Sequence, residues 1–239
     1  VGERTRELEK TQKALVKKEK LAVLGQLTAT VSHELRNPLG VIRSSSFYLK
    51  RRIKPQDDKV SKHIARIDEQ VSLCDTIVAD LLEYTRGRKV TIVPQMIHPW
   101  VQQVVAQEKE SKQLDIALGI ADALPLVPHD QEKMRRVLIN LISNAVQAVQ
   151  ARLETAGKSD AAYLPQVSVS VGLRQRSVCF QVADNGIGMD EATRRHAFEP
   201  LFTTRARGTG IGLAIVSKVV VEHGGRIEME TEPDSGTIV

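Results

Sequence analysis

The chain has 239 residues, of which 41% are hydrophobic and 26% charged, and this composition is that of a globular protein rather than a disordered or fibrous one. The net charge is +5, but only 3% of residues are aromatic and basic residues alternate with acidic ones, so the charge does not indicate a nucleic-acid-binding protein. Cys74 and Cys179 lie among apolar neighbours, and we expect both to be buried free thiols in a reducing compartment.

The first 20 residues are densely charged, with Leu8 and Leu15 seven residues apart, and this pattern predicts a short coiled-coil helix. No segment reaches the roughly 20 apolar residues of a membrane span, and the sequence has no recognisable signal peptide. Because the helical pattern already runs at Glu3, we expect the chain to be a fragment of a protein with an upstream sensor domain. We expect a cytoplasmic location, which leaves a membrane anchor in the full-length protein open.

Two apolar stripes with helical spacing follow the charged segment. The first comprises Leu24, Leu27, Val31, Leu35, Leu39, Ile42, Leu49 and Ile53, and the second comprises Val60, Ile64, Ile67, Val71, Cys74, Val78 and Leu81. Lys54–Asp58 is the predicted turn between the two helices. A single hairpin cannot cover both stripes, whereas two copies can do so as a dimeric four-helix bundle. The coiled-coil lead-in favours this homodimer over the alternative, in which the hairpin packs on the following domain.

Strands and helices alternate beyond the basic linker Arg86–Lys89. The predicted strands are Val90–Val93, Leu114–Leu118, Val167–Val171, Val178–Val182, Arg226–Glu230 and Gly236–Val239, and the predicted helices are Pro99–Glu110, Asp130–Thr155 and Thr209–His223. This order predicts an α/β sandwich in which the helices pack on one face of a mixed sheet. The predicted domains are therefore a coiled-coil helix at residues 1–20, a helical hairpin at 21–88 and an α/β domain at 89–239.

His33 lies about 200° around the first helix from Val31 and therefore faces away from the apolar stripe. Glu34 can hydrogen-bond one ring nitrogen, which fixes the tautomer and makes the other nitrogen more nucleophilic. Asn37 follows one turn later on nearly the same face, and Pro38 removes a backbone hydrogen bond beside it. An exposed helical histidine is usually an ordinary surface residue, but these neighbours make His33 a candidate phosphoacceptor.

Three features of the α/β domain are candidate parts of a binding site, although each alone is weak evidence. Asn140 and Asn144 are four residues apart inside a predicted helix, although asparagine is a poor helix former. Asp184–Gly186 follows an apolar strand, and alone it reads as an ordinary turn. The glycine-rich run Gly208–Gly212 opens a helix, where backbone amides and the helix dipole suit a phosphate. That run matches neither the dinucleotide fingerprint nor a Walker A loop.

Five strings of the sequence resemble the characteristic boxes of the sensor histidine kinases of two-component systems, in the same order. They are His33–Leu39, Asn140–Ala145, Asp184–Met189, Phe198–Arg205 and Gly208–Leu213. The resemblance runs from about Leu21 to the C-terminus and implies a dimerisation and histidine phosphotransfer domain followed by a catalytic ATP-binding domain. It also implies ATP-dependent autophosphorylation, phosphotransfer to an aspartate of a response-regulator receiver domain and, as in some relatives, phosphatase activity on that regulator.

The same resemblance implies roles for individual residues. His33 would be phosphorylated, with Glu34 acting as acid/base and Asn37 positioning a water molecule for dephosphorylation. Asn144 would ligate Mg²⁺, which accepts oxygen donors, and Asp184 would bind the exocyclic amine of adenine. The other residues implied to contact ATP are Asn140, Gly186, Gly188, Phe202, Thr204, Arg205, Gly208, Thr209, Gly210, Gly212 and Leu213.

Two other functions fit the sequence less well. The nucleotide fold also resembles that of DNA gyrase, MutL and heat-shock chaperones, but those ATP-driven clamps lack a phosphoacceptor histidine on a preceding hairpin. A dimerisation scaffold with a dead ATP site is disfavoured because Asn140, Asn144, Asp184 and Gly210 are all present. The chain ends at Val239 without the longer closing strand that is usual in the family, so we expect a trimmed or incomplete C-terminus.

Overall fold

The structure, a computed structural model, describes residues 35–51, 58–85, 90–156, 163–175, 177–205 and 208–239. The predicted coiled coil, the turn at 54–57, and both His33 and Glu34 lie outside these residues. The chain divides into two compact units, which meet in sequence between Arg88 and Lys89. Within the described ranges, no helix is both long enough and apolar enough to cross a membrane.

The first unit contains two helices, α1 over the described residues 35–51 and α2 at Asp58–Thr85. Four side chains at helical spacing are buried on α2, namely Ile64, Val71, Val78 and Leu82. Ser46 of α1 is buried as well and donates a hydrogen bond to Asp68 Oδ1 of α2 at 2.5 Å. An ion pair between Arg43 and Asp75 joins the two helices nearer the surface, so the hairpin is held by one apolar seam with polar contacts beside it.

A second series of apolar residues on the hairpin remains exposed in the single chain. Leu35, Ile42 and Leu49 follow one another at seven-residue intervals on α1 and are 44%, 43% and 44% exposed, and Ile67 of α2 is 40% exposed. Cys74 comes seven residues after Ile67 and is also exposed. The expectation of a buried Cys74 thiol is therefore wrong for the single chain, because this heptad series lies outside the α1–α2 seam.

The second unit contains a five-stranded mixed sheet in the order β2-β4-β5-β7-β6 and a two-stranded sheet of β1 and β3. The strands are β1 Val93–Gln95, β2 Ile116–Ile120, β3 Val127–His129, β4 Val167–Arg174, β5 Ser177–Asp184, β6 Glu230–Glu232 and β7 Gly236–Ile238. The helices are α3 His98–Lys112, α4 Gln131–Ala156, α5 Glu191–His196 and α6 Gly212–Glu222. Only β2 and β4 pair in parallel among these described strands.

The helices pack on one face of the larger sheet, as predicted. On β4, Val167, Val169 and Val171 are buried while the intervening Ser168 and Ser170 are exposed, which is the alternation of a strand with one covered face. The helices contribute a core of Val101, Val104, Leu138, Ile142, Val146, Val149, Ile215 and Val216, each at most 2% exposed. The Lys133–Glu222 ion pair of 2.7 Å joins α4 to α6, so these two helices are fixed side by side.

The structure differs from the sequence-based elements where elements are short. The three-residue strand β3 and the six-residue helix α5 were not predicted. Helix α5 has no buried side chain and begins because Asp190 Oδ1 accepts a hydrogen bond from Thr193 N at 2.8 Å. Strand β6 begins at Glu230, where the predicted strand ends, because its pairing is limited to the three residues opposite β7.

Candidate functional site

A cavity lies between α4, the end of β5 and the start of α6. Five sequence-predicted site residues line it, namely Asn144, Asp184, Gly188, Arg205 and Leu213. Its other walls come from Leu141, Ala145, Ala148, Val182, Met189, Met229, Thr237 and Val239. The cavity is therefore mostly apolar with a few converging polar groups, which is the usual make-up of a small-molecule site.

Asp184 is the last residue of β5 and places a partly buried carboxylate in this apolar cavity. Its Oδ1 accepts a hydrogen bond from Gly186 N at 2.8 Å. Burial raises the pKa of Asp184 to about 6, against the opposing effects of backbone hydrogen bonds from Gly186 and Thr237 and of the positive charge of Arg205. A buried carboxylate of this kind is suited to accept a hydrogen bond from a ligand amine.

The turn after Asp184 depends on close packing against α4. A Cβ atom on Gly186 would lie 2.4 Å from the carbonyl carbon of Ala148, so only glycine fits there. Ile187 N also donates to Ala148 O at 3.3 Å. The close neighbour of Gly186 is thus the protein's own helix α4.

Asn140 and Asn144 are half-buried on the same flank of α4. Asn140 Nδ2 is buried and has no hydrogen-bond partner among the described residues. Asn140 Oδ1 lies 3.3 Å from the position that a Cβ would occupy on Gly212, the first residue of α6. An unpaired buried donor costs free energy until an acceptor reaches it, so the position of Asn140 beside the start of α6 fits a polar ligand.

Arg205 extends from the segment before α6 to the exposed edge of α4. Its Nη1 donates to Gln147 Oε1 at 2.6 Å and to Asn144 Oδ1 at 3.4 Å, and its Nη2 donates to Asn144 O at 3.4 Å. Burial lowers the pKa of Arg205, while the charge of Asp184 raises it. Gln147 was not identified from the sequence, since a glutamine on a helix surface carries no signal of its own.

The remaining predicted residues frame the segment between α5 and α6. The ring of Phe202 lies 5.6 Å from that of His196, between centroids, whereas Thr204 is exposed. Gly210 has a φ of +66° and its carbonyl accepts from Leu201 N at 2.9 Å, which joins the two ends of the segment. Gly208 and Thr209 are half-buried, and Thr209 Oγ1 accepts from Ile211 N at 3.2 Å just before α6 begins.

The described residues contain no group of three or more His, Cys, Asp or Glu side chains placed to hold a metal ion. Mg²⁺, however, accepts amide oxygens, phosphate oxygens and water together. Asn144 offers one such oxygen at the cavity wall. The donor set therefore fits a magnesium ion that Asn144 would hold jointly with the phosphates of a nucleotide.

Two family models match most of the chain. Residues 23–89 match the His Kinase A (phospho-acceptor) domain, and residues 129–239 match the histidine kinase-, DNA gyrase B- and HSP90-like ATPase. The first match contains His33, Glu34 and Asn37, and the second contains every residue of the cavity. Of the predicted phosphoacceptor group, the structure describes Asn37 alone, and its side chain is exposed on α1.

Individual proteins agree with the two domain matches. The sensor histidine kinase ZraS of Klebsiella oxytoca is 32% identical over 95% of this chain, and the sensory histidine kinase/phosphatase NtrB of Rhizobium meliloti is 30% identical over 86%. The chain spans 47% and 55% of these two relatives, about half of their length. The solved structure of histidine kinase ThkA with response regulator protein TrrA has a TM-score of 0.64 at 26% identity and covers 97% of this chain and 65% of that one. With a phospho-acceptor domain followed by an ATPase domain, the chain belongs to the sensor histidine kinases.

Proposed function

We propose that this chain uses Mg·ATP to phosphorylate His33 and then passes the phosphoryl group to an aspartate of a response-regulator receiver domain. The observation that carries the proposal is the convergence of Asn144, Asp184 and Arg205 on one cavity, in a chain that also has a phospho-acceptor domain. A clamp-type ATPase would need the cavity but not the phospho-acceptor domain, and a dimerisation scaffold would need neither the cavity nor a phosphoacceptor histidine.

The proposed ATP contacts divide into groups for the base and for the phosphates. Asp184 accepts a hydrogen bond from the adenine amine. Asn140 belongs to the group for the phosphates, because its Nδ2 is unpaired among the described residues and its Oδ1 faces Gly212 at the start of α6. Backbone amides of the glycine-rich run before α6 would stabilise phosphate charge at the helix N-terminus, apart from those of Gly208 and Ile211, which already donate to Arg205 O and Thr209 Oγ1. Asn144 would hold Mg²⁺, which would shield the phosphate charge when bound, and Arg205 would stabilise charge on the γ-phosphoryl group.

The reaction requires one side chain as nucleophile and a second to orient it. A lone pair on a ring nitrogen of His33 forms the new bond to the γ-phosphorus, the bond to the bridging oxygen breaks, and ADP leaves. Glu34 hydrogen-bonds the other ring nitrogen and takes up its proton as positive charge develops on the ring. Catalysis of this transfer is mainly positioning and charge stabilisation.

Asn37 would act in the proposed phosphatase reaction, in which water removes the phosphoryl group from the regulator. Its exposure on α1 makes its amide accessible to a docked partner, and NtrB, one of the relatives, is named a kinase/phosphatase. Asn37 would then orient a water molecule toward the phosphorylated aspartate.

The exposed heptad series of the hairpin supports a homodimer. Leu35, Ile42, Leu49 and Ile67 would be covered by the same residues of a second copy, giving a four-helix bundle. The proposed domain limits are 1–20 for a signalling helix, 21–88 for the dimerisation domain and 89–239 for the catalytic domain. An upstream sensor domain in the full-length protein would act through the first of these.

Phosphotransfer can be tested with the purified chain and a panel of receiver domains. The chain is labelled with ATP carrying a radioactive γ-phosphate, freed of nucleotide and mixed with each receiver. We expect rapid loss of label from the chain and its appearance on at least one receiver, and no transfer to that receiver after its acceptor aspartate is changed to asparagine. Label that stays on the chain with every receiver would argue against the proposed transfer.

A further inference from the structure

The turn that follows Asp184 is held from its outer side by residues that do not line the cavity. The Asn185 side chain accepts a hydrogen bond from Gln166 N at 2.8 Å and donates one to Leu164 O at 2.8 Å. Asn185 therefore binds the segment that leads into β4, and the turn and this segment form one hydrogen-bonded unit.

Arg152, near the end of α4, closes this unit. Its Nη1 donates to Asn185 O at 2.8 Å, with a longer contact of 3.5 Å to Gly186 O. The guanidinium lies over the Tyr163 ring, 4.6 Å from its centroid, which is a cation–π geometry. Tyr163 Oη in turn donates to Asn185 O at 3.1 Å and lies 3.0 Å from Asn185 Oδ1. Two donors thus meet on one backbone carbonyl.

That carbonyl belongs to the same planar peptide unit as the amide of Gly186. The Gly186 amide is the group that donates to Asp184 Oδ1 at 2.8 Å. Holding the carbonyl end of a rigid peptide fixes the direction of its N–H, and hydrogen bonding at the carbonyl also polarises the N–H. Arg152 and Tyr163 are therefore linked to the Asp184 carboxylate through a single peptide group.

We propose that Arg152 and Tyr163 are positioning residues for adenine recognition, which orient the Asp184 carboxylate through the Asn185–Gly186 peptide. The proposal rests on the proposed function, because it assumes that Asp184 binds the adenine amine. Arg152 and Tyr163 both lie outside the five strings that resemble the sensor histidine kinases. At metal sites, supporting groups of this kind change metal affinity or activity by about 10- to 100-fold when they are removed, and we expect an effect near the lower end of that range here.

The test compares ADP with inosine diphosphate, whose base lacks the exocyclic amine. Calorimetry on the whole chain gives the affinity for each nucleotide in the wild type, Arg152→Met, Arg152→Lys and Tyr163→Phe. Arg135→Met is the matched control, since Arg135 lies on the same helix and binds Gln103 and Gln107 outside the cavity. Urea unfolding of each variant shows whether the domain remains folded.

We expect Arg152→Met to lose about tenfold in ADP affinity and little in inosine diphosphate affinity, a size typical of supporting groups. KM for ATP should rise with kcat nearly unchanged. Tyr163→Phe should lose less, and Arg152→Lys should recover part of the loss because it keeps the charge over the ring. Arg135→Met should match the wild type.

Equal losses for both nucleotides in Arg152→Met, or no loss for either, would overturn the positioning role. Asp184→Asn separates this failure from failure of the proposed function. If Asp184→Asn changes the ratio of ADP to inosine diphosphate affinity and Arg152→Met does not, the positioning role alone is wrong. If neither variant changes the ratio, Asp184 does not read the adenine amine and the proposed site is wrong as well.

Discussion

The guanidinium of Arg205 lies against the side chain of Asn144, with Nη1 3.4 Å from Oδ1 across 61 residues of sequence. The oxygen that we propose for Mg²⁺ is thus already in contact with a cation. Under the proposed function, a metal-bound nucleotide would compete with Arg205 for this oxygen. We therefore expect Arg205 to leave Asn144 and Gln147 when it contacts the γ-phosphoryl group.

Replacing Arg205 by methionine tests the proposed contact between Arg205 and the γ-phosphoryl group. We expect the rate of autophosphorylation to fall by roughly 10²-fold, as for loss of one transition-state charge contact, while affinity for ADP stays within about threefold because ADP has no γ-phosphoryl group. Arg205→Lys should retain more activity than Arg205→Met. Stopped-flow phosphorylation and calorimetry measure the two quantities, and an equal loss of both would assign Arg205 to general structure.

Changing the base contact should affect binding without affecting assembly. Asp184→Asn should lose on the order of 2–4 kcal/mol of Mg·ATP binding free energy, the size of a buried polar contact to a ligand. Asn144→Asp should also impair Mg·ATP use strongly, since it changes the oxygen donor beside the phosphates. Titration calorimetry measures the affinities and light scattering the oligomeric state. Unchanged nucleotide affinity in Asp184→Asn would count against the site.

Nucleotide binding should depend on pH through Asp184, whose pKa is raised by burial from 3.8 to about 6. Between about pH 4 and about pH 6, Asp184 holds a proton in the folded domain that it has lost in the unfolded chain. The contribution of Asp184 to the unfolding free energy therefore falls as pH rises from about 4 to about 6. The ionised carboxylate is the better acceptor for an amine, so ADP affinity should rise as pH increases through 6. The phosphates of ADP also titrate in this pH range and change the affinity. Asp184→Asn is therefore the control, since it keeps the pH effect of the phosphates and removes that of Asp184. Identical pH profiles for the two proteins would contradict the assignment.

The two proposed activities of the helical hairpin should separate at Asn37. Asn37→Ala should lose dephosphorylation of the regulator because no amide orders the attacking water, while His33 still accepts phosphate. The measurements are the release of inorganic phosphate from a phosphorylated receiver and the labelling of the chain. Parallel loss of both activities would make Asn37 a structural residue.

The sequence was sufficient for the long elements that the structure describes and for five of the residues that line the cavity, and insufficient for contacts set by tertiary packing. Asn144, Asp184 and Arg205 were identified because they lie in strings that resemble a family, and they do line one cavity. Arg152 and Tyr163 lie outside any string, and their role depends on a carbonyl that folding brings to them. Cys74 was misjudged because helical spacing gives an apolar stripe without telling which part of it a single hairpin covers.

The most direct test of the proposed autophosphorylation is the labelling of His33 itself. The chain is incubated with Mg²⁺ and ATP carrying a radioactive γ-phosphate, and acid-labile, alkali-stable phosphate is measured in the wild type, His33→Gln and His63→Gln. His63 is the matched control because it is exposed on α2 of the same hairpin. We expect His33→Gln to bind ATP normally and incorporate no label, and His63→Gln to be labelled like the wild type. Label remaining in His33→Gln, or lost in His63→Gln alone, would contradict the central claim.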